Sequence, residues 1–419
     1  MSTVGERARF GDVFARSEFR ALWLAQLLSV AGDQLARVAM TFLVFERTQS
    51  VLWTAVTYAV TFLPWVIGGV ALSGFADRLP RKLVMITCDV ARAALVLAMT
   101  MPGMRLWAMI TLLFVVTLLD SPFKSARAAM YADILTGDVY VLGTAITQTT
   151  LQIGMVSGFA LGGVVVAFLG TQVALFADAA TFAASALLVL AGVRARPAAA
   201  ASLAARGGKH GTAMPSGTRL VFADRQLRTL ILFGWLVAFY VLPQGLAVPY
   251  AARFHTMPPA VAAGLVFAAG PFGTALGAIA FGRMVDPPRR LRWMGPLAVA
   301  CCCALLLCAL HPSLLTSLAI FVVSGACAAY QLAANAAFVS AIPNHRRGQA
   351  FGLANGGMQV TQGVWFVLAG AVAEAVGPAA MIAVSGAVGA MLAVALTLSW
   401  QRQQASAHGR ALATETDSR

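Results

Sequence analysis

Long apolar runs alternate with short polar segments along nearly the whole chain. A helix needs about 20 mostly apolar residues to cross the hydrocarbon core of a bilayer. Twelve runs reach that length, and polar residues are concentrated in the connections between them. They cover residues 19–45, 52–73, 83–102, 106–128, 144–169, 171–193, 227–250, 257–283, 291–311, 313–337, 349–373 and 378–400. The pattern therefore predicts an all-α membrane protein with twelve transmembrane helices.

One polar connection is much longer than the others. Residues 194–226 are basic and rich in Gly, Ala and Ser, and they divide the predicted spans into six plus six. The expected segments are a six-helix bundle at 1–193, a cytoplasmic linker at 194–226, a second six-helix bundle at 227–400 and a cytoplasmic tail at 401–419.

The two halves share a weak internal repeat at an offset of 207 residues. At this offset QIGMVSGFALGGVVVAFLG, which begins at Gln152, aligns with QVTQGVWFVLAGAVAEAVG, which begins at Gln359. Six of the 19 positions are identical, and the same offset places the fourth predicted span on the tenth. Two pseudo-symmetric six-helix bundles are one architecture for alternating access, with substrate held between the bundles.

Composition and charge agree with a membrane protein. The chain is 59% hydrophobic and 11% charged, whereas soluble domains carry about 25% charged residues. The net charge of +14 could indicate nucleic acid, but no basic helix is interleaved with aromatic residues. The predicted outer loops hold only Arg47, Arg105 and Arg253. The positive-inside rule therefore places both termini in the cytoplasm, and we expect a multi-pass protein of the cell inner membrane.

Residues suited to metal, cofactor or catalytic chemistry do not form recognisable patterns. The six cysteines lie within apolar runs, and the five histidines lie in or beside loops. Neither an HExxH sequence nor a phosphate-binding glycine loop ending in GK[ST] occurs. We therefore expect no metal, no cofactor and no enzymatic activity, so that any transport must draw on a gradient or on a partner.

A short charged loop separates the second and third predicted spans. Its sequence, SGFADRLPRK, places Asp77, Arg78, Arg81 and Lys82 around the helix-breaking Pro80. The bases satisfy the positive-inside rule, but that rule gives no reason for the acid. The stretch resembles the signature loop of the major facilitator superfamily, whose pattern is glycine, any, leucine, alanine, aspartate, arginine, any, glycine, arginine, basic. A serine and Pro80 stand at its two glycine positions.

The DRLPR form of this loop resembles the drug-exporter branch, which includes macrolide efflux proteins and the enterobactin exporter. Other stretches extend the resemblance over nearly the whole chain. They are GDQLARVAMTFLVF, FLPWVIGG, DVARAA, FADAATF and RRGQAFGL. The resemblance implies a monomeric transporter in the lipid bilayer. It would export a small amphipathic molecule, such as a drug, a macrolide-like compound or a siderophore, by proton antiport through alternating access.

The charged loop has an expected role in that family, where it is thought to latch the two halves in the outward-facing state. A carboxylate facing a helix N-terminus is favoured by roughly 0.3–1 kcal/mol when exposed. We therefore expect Asp77 to approach the start of the eleventh span, near Arg347–Gly352. The alternative is a solvated turn whose charges serve topology alone.

Four glycines mark the fifth predicted span. Gly154, Gly158, Gly162 and Gly163 include small residues four apart, which form a stripe that another helix can approach closely. The exporter family has a glycine-rich motif here, typically with a proline after the second glycine, where this chain has Phe159. Plain helix packing is the alternative to an antiport motif.

The first predicted span contains an acid and a base deep in the membrane. A charge at mid-bilayer costs at least about 2.5–3.5 kcal/mol on insertion scales, so each needs a reason. Asp33 lies roughly 20 Å along the helix from Phe19, and Arg37 is one turn further on the same face, so the two can pair. We expect a proton-coupling carboxylate, with a fixed structural ion pair as the alternative.

Further charges lie in the third, fourth and sixth predicted spans. Asp89 and Arg92 are expected to belong to the network of the charged loop. Asp120 and Lys124 are one turn apart, with Arg127 beyond, and they form either a cytoplasmic gate or a self-neutralised set. For Asp178, near the outer end of the sixth span, a helix-start or packing role is favoured.

Neutral polar residues could line a substrate cavity or bond between helices. They are Gln34, Gln148, Gln152, Gln244, Asn335, Gln359 and Gln362. Two other functions stay open, namely proton-coupled uptake of a small metabolite by the same fold and a transport-dead membrane sensor. Uptake of anions would require several basic residues in the cavity, and only Arg37 qualifies clearly.

Overall fold

The computed structural model describes residues 9–64, 79–196, 222, 224–342 and 347–417, and this part of the chain is helical without strands. In chain order the helices are α1 (Phe10–Phe14), α2 (Ser17–Thr48), α3 (Val51–Ala59), α4 (Arg81–Met99), α5 (Leu106–Ile134), α6 (Asp138–Gly192), α7 (Arg225–Trp235), α8 (Val237–Tyr240), α9 (Leu242–Gly245), α10 (Ala247–Ala251), α11 (Pro259–Met284), α12 (Pro287–Ala304), α13 (Leu314–Cys327), α14 (Tyr330–Ala341), α15 (Arg347–Val376) and α16 (Pro378–Asp417). A 3-10 helix at Leu305–Leu310 continues α12.

Nine segments of the described residues are long and apolar enough to cross a membrane. One of them, α6, has 55 residues, and at 1.5 Å per residue this would extend about 80 Å, far beyond one bilayer. The chain turns inside α6 at Gly170, where φ is 87° and ψ is 167°. The expectation of an all-α membrane protein is confirmed, whereas the count of twelve spans stays a prediction.

Local sequence explains where several helices begin. Pro80 stands immediately before α4 with φ −57° and ψ 125°, a backbone conformation that is not helical, and α4 begins at the next residue. The side chains of Ser50, Asp224 and Ser313 accept hydrogen bonds from the first-turn N–H groups of α3, α7 and α13. These caps satisfy backbone donors that would otherwise have no partner within the helix.

The seventh predicted span is broken into the short helices α7 to α10. Pro243 lies at the start of α9, and proline cannot continue the hydrogen bonding of the preceding turn. Gly245 follows, and a Cβ built on it would lie 2.5 Å from Phe366 Cδ1. The absence of a side chain at Gly245 therefore leaves room for Phe366, a large aromatic residue of α15.

Contacts divide the chain into two units. The first comprises Met1–Gly211 with Ala251–Ala268, and the second comprises Thr212–Tyr250 with Ala269–Arg419. The first unit has a core that includes Phe19, Met85, Phe123, Met130 and Val189. The second has a core that includes Phe233, Met294, Tyr330, Ala350 and Trp400. The four sequence segments proposed above stay a prediction.

The internal repeat corresponds to equivalent local structure in the two units. Gly170 and its repeat partner Gly377 both have positive φ, at 87° and 86°. Phe159 and Phe366 are both 0% exposed. Leu161 and Leu368, two positions further along, are 56% and 54% exposed. Positions 207 residues apart thus have similar backbone angles and similar side-chain exposure. The weak sequence identity between the two halves therefore reflects a repeated packing pattern.

Candidate functional site: a buried charge cluster around Arg92

Helix α4 carries the centre of the cluster inside the first unit. Asp89 and Arg92 are three residues apart and therefore share one face of the helix. That face is buried, since Asp89 is 0% exposed and Arg92 is 1% exposed. A charge so deeply buried requires compensating partners, and the neighbouring helices supply them.

Arg92 faces three carboxylates and one aromatic ring. Its Nη2 donates a hydrogen bond of 2.7 Å to Asp33 Oδ1 on α2. Its Nη1 lies 3.8 Å from Asp89 Oδ1 and 3.7 Å from Asp120 Oδ1 on α5. The guanidinium also lies 4.0 Å from the ring centroid of Phe182 on α6, within the range of a cation–π contact. One cation thus joins four helices.

Asp33 does not form the ion pair expected from its own helix. Arg37 donates instead to Gln34 Oε1 at 3.3 Å, while Asp33 accepts from Arg92. The Arg92 guanidinium extends from α4 and contacts the Asp33 carboxylate directly. The one-turn spacing of Asp33 and Arg37 on α2 places their side chains on a common face but does not require them to pair. Arg92 contacts Asp33 and Asp120, and the expected membership of Asp89 and Arg92 in the network of the charged loop stays a prediction.

The acids of α4 and α5 each have a second partner. Lys124 Nζ lies 2.6 Å from Asp120 Oδ2, one turn along α5. Ser185 donates a hydrogen bond of 2.6 Å to Asp89 Oδ2 from α6. Arg127 lies apart, with its guanidinium 5.5 Å from the ring centroid of Phe123. Asp120 and Lys124 therefore neutralise each other within the cluster, and the gating role proposed for them stays a prediction.

Asp178 is a member of this site that the sequence reasoning missed. It is 1% exposed and lines the same cavity as Asp33, Arg92 and Asp120. A Cβ built on Gly32 would lie 2.5 Å from Asp178 Oδ1, so the missing side chain there lets the acid reach the α2 backbone. The sequence does contain a pattern that could have identified Asp178. Asp178, Phe182 and Ser185 are spaced four and three residues apart, which places them on one face of α6.

A small cavity lies among these side chains. Its free volume is about 20 Å³, and Asp33, Arg37, Arg92, Asp120 and Asp178 line it. A polar cavity of this size can hold one water molecule. Among the described residues, Arg92 Nη1 and Asp89 Oδ1 are buried without a hydrogen-bond partner. The gaps of 3.7 and 3.8 Å around Nη1 suit a bridging water.

The bases of the charged loop form a separate set of contacts at the start of α4. Arg81 pairs with Asp133 at the end of α5, and Lys82 Nζ donates to the Leu190 carbonyl of α6 at 2.7 Å. These contacts tie three helix ends together on the predicted cytoplasmic side. Asp77 and Arg78 lie outside the described residues, and the proposed latch stays a prediction.

The four glycines of α6 lie at close helix crossings. A Cβ built on Gly158 would lie 2.9 Å from the Ala31 carbonyl oxygen, and Gly154 and Gly162 face the same helix, α2. A Cβ on Gly163 would lie 2.5 Å from the Ala260 carbonyl oxygen of α11. Phe159 stacks on Phe267 with ring centroids 5.1 Å apart. The geometry is that of helix packing, and an antiport role stays a prediction.

The candidate cavity residues differ in their surroundings. Gln34 and Gln362 are each 5% exposed and bond to neighbours on their own helices, namely Arg37 and Gln359. Gln148 and Asn335 are exposed, and Gln152 and Gln244 are half-buried. Within the described part of the chain, no group of three His, Cys, Asp or Glu side chains is arranged to hold a metal ion.

Comparison with known sequences agrees with the fold. The chain is 27% identical over 181 residues to the uncharacterized MFS-type transporter YkuC of Bacillus subtilis (strain 168), covering 42% of each protein. It is 29% identical over 102 residues to macrolide efflux protein A of Streptococcus pyogenes, covering 23% of this chain and 25% of that protein. The matches thus span less than half the length of these relatives.

Solved structures with the same fold match almost the whole chain. A POT family transporter in complex with a thioalcohol-conjugated peptide has a TM-score of 0.72 at 10% identity, over 92% of this chain and 96% of its own. The nucleoside transporter NupG has a TM-score of 0.70 at 14% identity, over 91% and 99%. At such identities the likeness shows the fold alone.

The family model for the Major Facilitator Superfamily matches residues 22–307 and 244–416, which together include both sequence halves. Members of this family are membrane transporters of small molecules rather than enzymes. The charged loop, the repeated packing and the matched fold all agree, and the chain belongs to the major facilitator superfamily.

Proposed function

We propose that this transporter exports a small amphipathic molecule in exchange for protons. The observation that carries the proposal is the buried cluster in which Arg92 is shared by Asp33, Asp89 and Asp120. Isolated structural pairs need one base for each acid. Here the acids outnumber the bases in direct contact with them, so proton binding offers a natural way to balance the charge.

Asp33 is the acid best placed to exchange protons. Its side chain is 22% exposed, whereas that of Asp120 is 10% exposed and that of Asp89 is 0% exposed. A proton on Asp33 would remove the charge that holds Arg92 Nη2 to α2. Because the contact between α2 and α4 would then weaken, proton binding and helix arrangement are thermodynamically linked.

Export is favoured over uptake by the sequence likeness to macrolide efflux protein A. The charged-loop sequence supports the same direction through its resemblance to the drug-exporter branch. The substrates that fit this branch are drugs, macrolide-like compounds and siderophores. We further propose a monomer in the cell inner membrane, with both termini in the cytoplasm.

A transport assay in proteoliposomes tests direction and coupling together. Purified protein is reconstituted, an acidic lumen is imposed, and uptake of ethidium, erythromycin and a catecholate siderophore is followed. Vesicles whose proteins are oriented inside-out should accumulate at least one probe, and a protonophore should abolish the accumulation. Protein-free liposomes are the control, because a weak base such as erythromycin redistributes passively.

The assay has two outcomes that would overturn the proposal. Accumulation of no probe under the pH gradient would argue against proton-driven export of this substrate class. Accumulation of a probe only when the lumen is alkaline and the protein is oriented right-side-out would indicate uptake by proton symport.

A further inference from the structure

Asp178 differs from the other three acids of the cluster in having no cation beside it. Asp33 lies 2.7 Å from Arg92, and Asp120 lies 2.6 Å from Lys124. Among the described residues, no Lys, Arg or His nitrogen lies within 4.0 Å of the Asp178 carboxylate. The Asp178 carboxylate lies 3.5 Å from Thr181 Oγ1, which is a long contact, and that hydroxyl already donates to the Asp178 carbonyl at 2.7 Å.

The charges that line the cavity, together with those that pair directly with its lining residues, do not balance. The acids are Asp33 of α2, Asp89 of α4, Asp120 of α5 and Asp178 of α6, and the bases are Arg37, Arg92 and Lys124. Four carboxylates therefore meet three cations, which leaves one negative charge in surplus. An ionised carboxylate without a partner is far more costly to bury than a protonated one. The surplus is removed by a single proton.

Geometry selects the acid that holds this proton. Asp33, Asp89 and Asp120 each lie within 4.0 Å of a cation, which stabilises the ionised form. Asp89 also accepts a hydrogen bond from Ser185. Asp178 is 1% exposed and has neither form of stabilisation beyond its own helix. A protonated carboxyl therefore fits the surroundings of Asp178 better than those of Asp33, Asp89 or Asp120.

From this geometry we infer that Asp178 is the protonated carboxyl of the cluster and exchanges its proton with Asp33 through the cavity. The exchange rests on the proposed proton coupling. Gly32 lets Asp178 lie against the α2 backbone beside Asp33, and both acids line a space the size of one water molecule. Asp178 holds the proton at rest, and the more exposed Asp33 is the carboxyl that exchanges protons with the surroundings.

The transfer conserves charge within the cluster. The O–H bond of Asp178 breaks as an O–H bond forms on Asp33, with the cavity water donating one proton and accepting the other. Asp33 becomes neutral and releases Arg92, while Asp178 becomes the ionised acid that Arg92 can approach. Asp178 is thus a positioning and proton-holding residue rather than a substrate contact.

Infrared difference spectroscopy tests the protonation state without any substrate. Wild-type protein at neutral pH should show the C=O stretching band of a buried carboxylic acid. Asp178→Asn should lose this band, whereas Asp89→Asn should keep it. If Asp178→Asn does not fold, Asp178→Glu should shift the band and Asp89→Glu should leave it unmoved. A band that persists in Asp178→Asn, or that follows Asp89, would overturn the inference.

Transport by the same variant tests the exchange. Asn mimics a carboxyl that is permanently protonated. With whichever of ethidium, erythromycin or the catecholate siderophore wild type accumulates, Asp178→Asn should keep counterflow of the probe and lose at least tenfold in its accumulation driven by a pH gradient. Accumulation equal to that of wild type would overturn the exchange. If wild type accumulates none of the probes under the pH gradient, both the proposed function and the proton exchange are wrong. The infrared band still shows which carboxyl holds the proton.

Discussion

Arg92 of α4 donates a 2.7 Å hydrogen bond to Asp33 of α2 and takes the place that spacing along α2 had assigned to Arg37. The same guanidinium lies within 3.8 Å of Asp89 and Asp120. A single buried cation therefore fixes the arrangement of the helices that carry these acids. A change in the charge of one acid alters how strongly Arg92 interacts with the other two acids. This interaction is the physical basis of the proposed coupling between proton binding and helix arrangement.

Removing the shared cation should be severely destabilising. Arg92→Gln leaves three carboxylates without their common partner, and breaking a buried pair in this way costs roughly 3–5 kcal/mol. We expect a markedly lower unfolding temperature in detergent than for wild type. Arg47→Gln on α2 is the control, because Arg47 lies outside the cluster and bonds to the neutral Met104 carbonyl at 2.9 Å. An Arg47→Gln protein as unstable as Arg92→Gln would contradict the central position of Arg92.

The hydrogen bond from Ser185 should contribute measurably to the cluster. Ser185→Ala leaves Asp89 Oδ2 without its 2.6 Å donor in a buried environment. The loss of one partner of a buried polar group costs about 1–3 kcal/mol. Ser157→Ala is a suitable control, since the Ser157 hydroxyl bonds only to carbonyls of its own helix, at 2.8 and 3.4 Å. Thermal unfolding of the two proteins side by side should show the larger decrease for Ser185→Ala.

Close packing of α2 and α6 should depend on the absence of side chains at two glycines. A methyl group on Gly158 would lie 2.9 Å from the Ala31 carbonyl oxygen, and one on Gly32 would displace Asp178. Both alanine variants should lower the unfolding temperature. Gly282→Ala is the control, because a Cβ there meets nothing within 4 Å and alanine favours the helix by up to about 1 kcal/mol. Equal stability of all three variants would argue against the crossing described here.

The contact between Arg81 and Asp133 should behave as a partly exposed ion pair. The two side chains are 20% and 37% exposed, and pairs of this kind are worth roughly 0.2–1 kcal/mol. Arg81→Asp and Asp133→Arg should each reduce stability, and the double exchange should restore part of the loss. A double-mutant cycle in detergent measures the coupling. Strictly additive effects would show that the two charges do not interact.

Apolar run lengths predicted most of the helices, because a bilayer imposes the same length on every span. The ends of α5 and α11 fall within a few residues of the predicted spans, apart from a continuation of α5 to Ile134. The breaks in the seventh span were missed although Pro243 marks one of them. Hydropathy reports how apolar a segment is, and it does not report whether the segment is one helix or four.

The charged residues were found from sequence, but their partners were not. Burial of a charge in a membrane helix singles out Asp33 and Arg92 as unusual. Spacing along one helix can suggest only partners on that helix, and the true partner of Asp33 comes from α4. Asp178 was set aside for the same reason, since its relation to Gly32 and to the cavity exists only after α2 and α6 have packed.

The central claim is that protonation of Asp33 couples proton movement to transport, and luminal pH measures this most directly. Proteoliposomes with an acidic lumen and trapped pyranine receive whichever of ethidium, erythromycin or the catecholate siderophore wild type accumulates. Wild type should raise the luminal pH as the probe enters, whereas Asp33→Asn should leave it unchanged while retaining counterflow of the probe. A rise in luminal pH in Asp33→Asn equal to that of wild type would contradict the account.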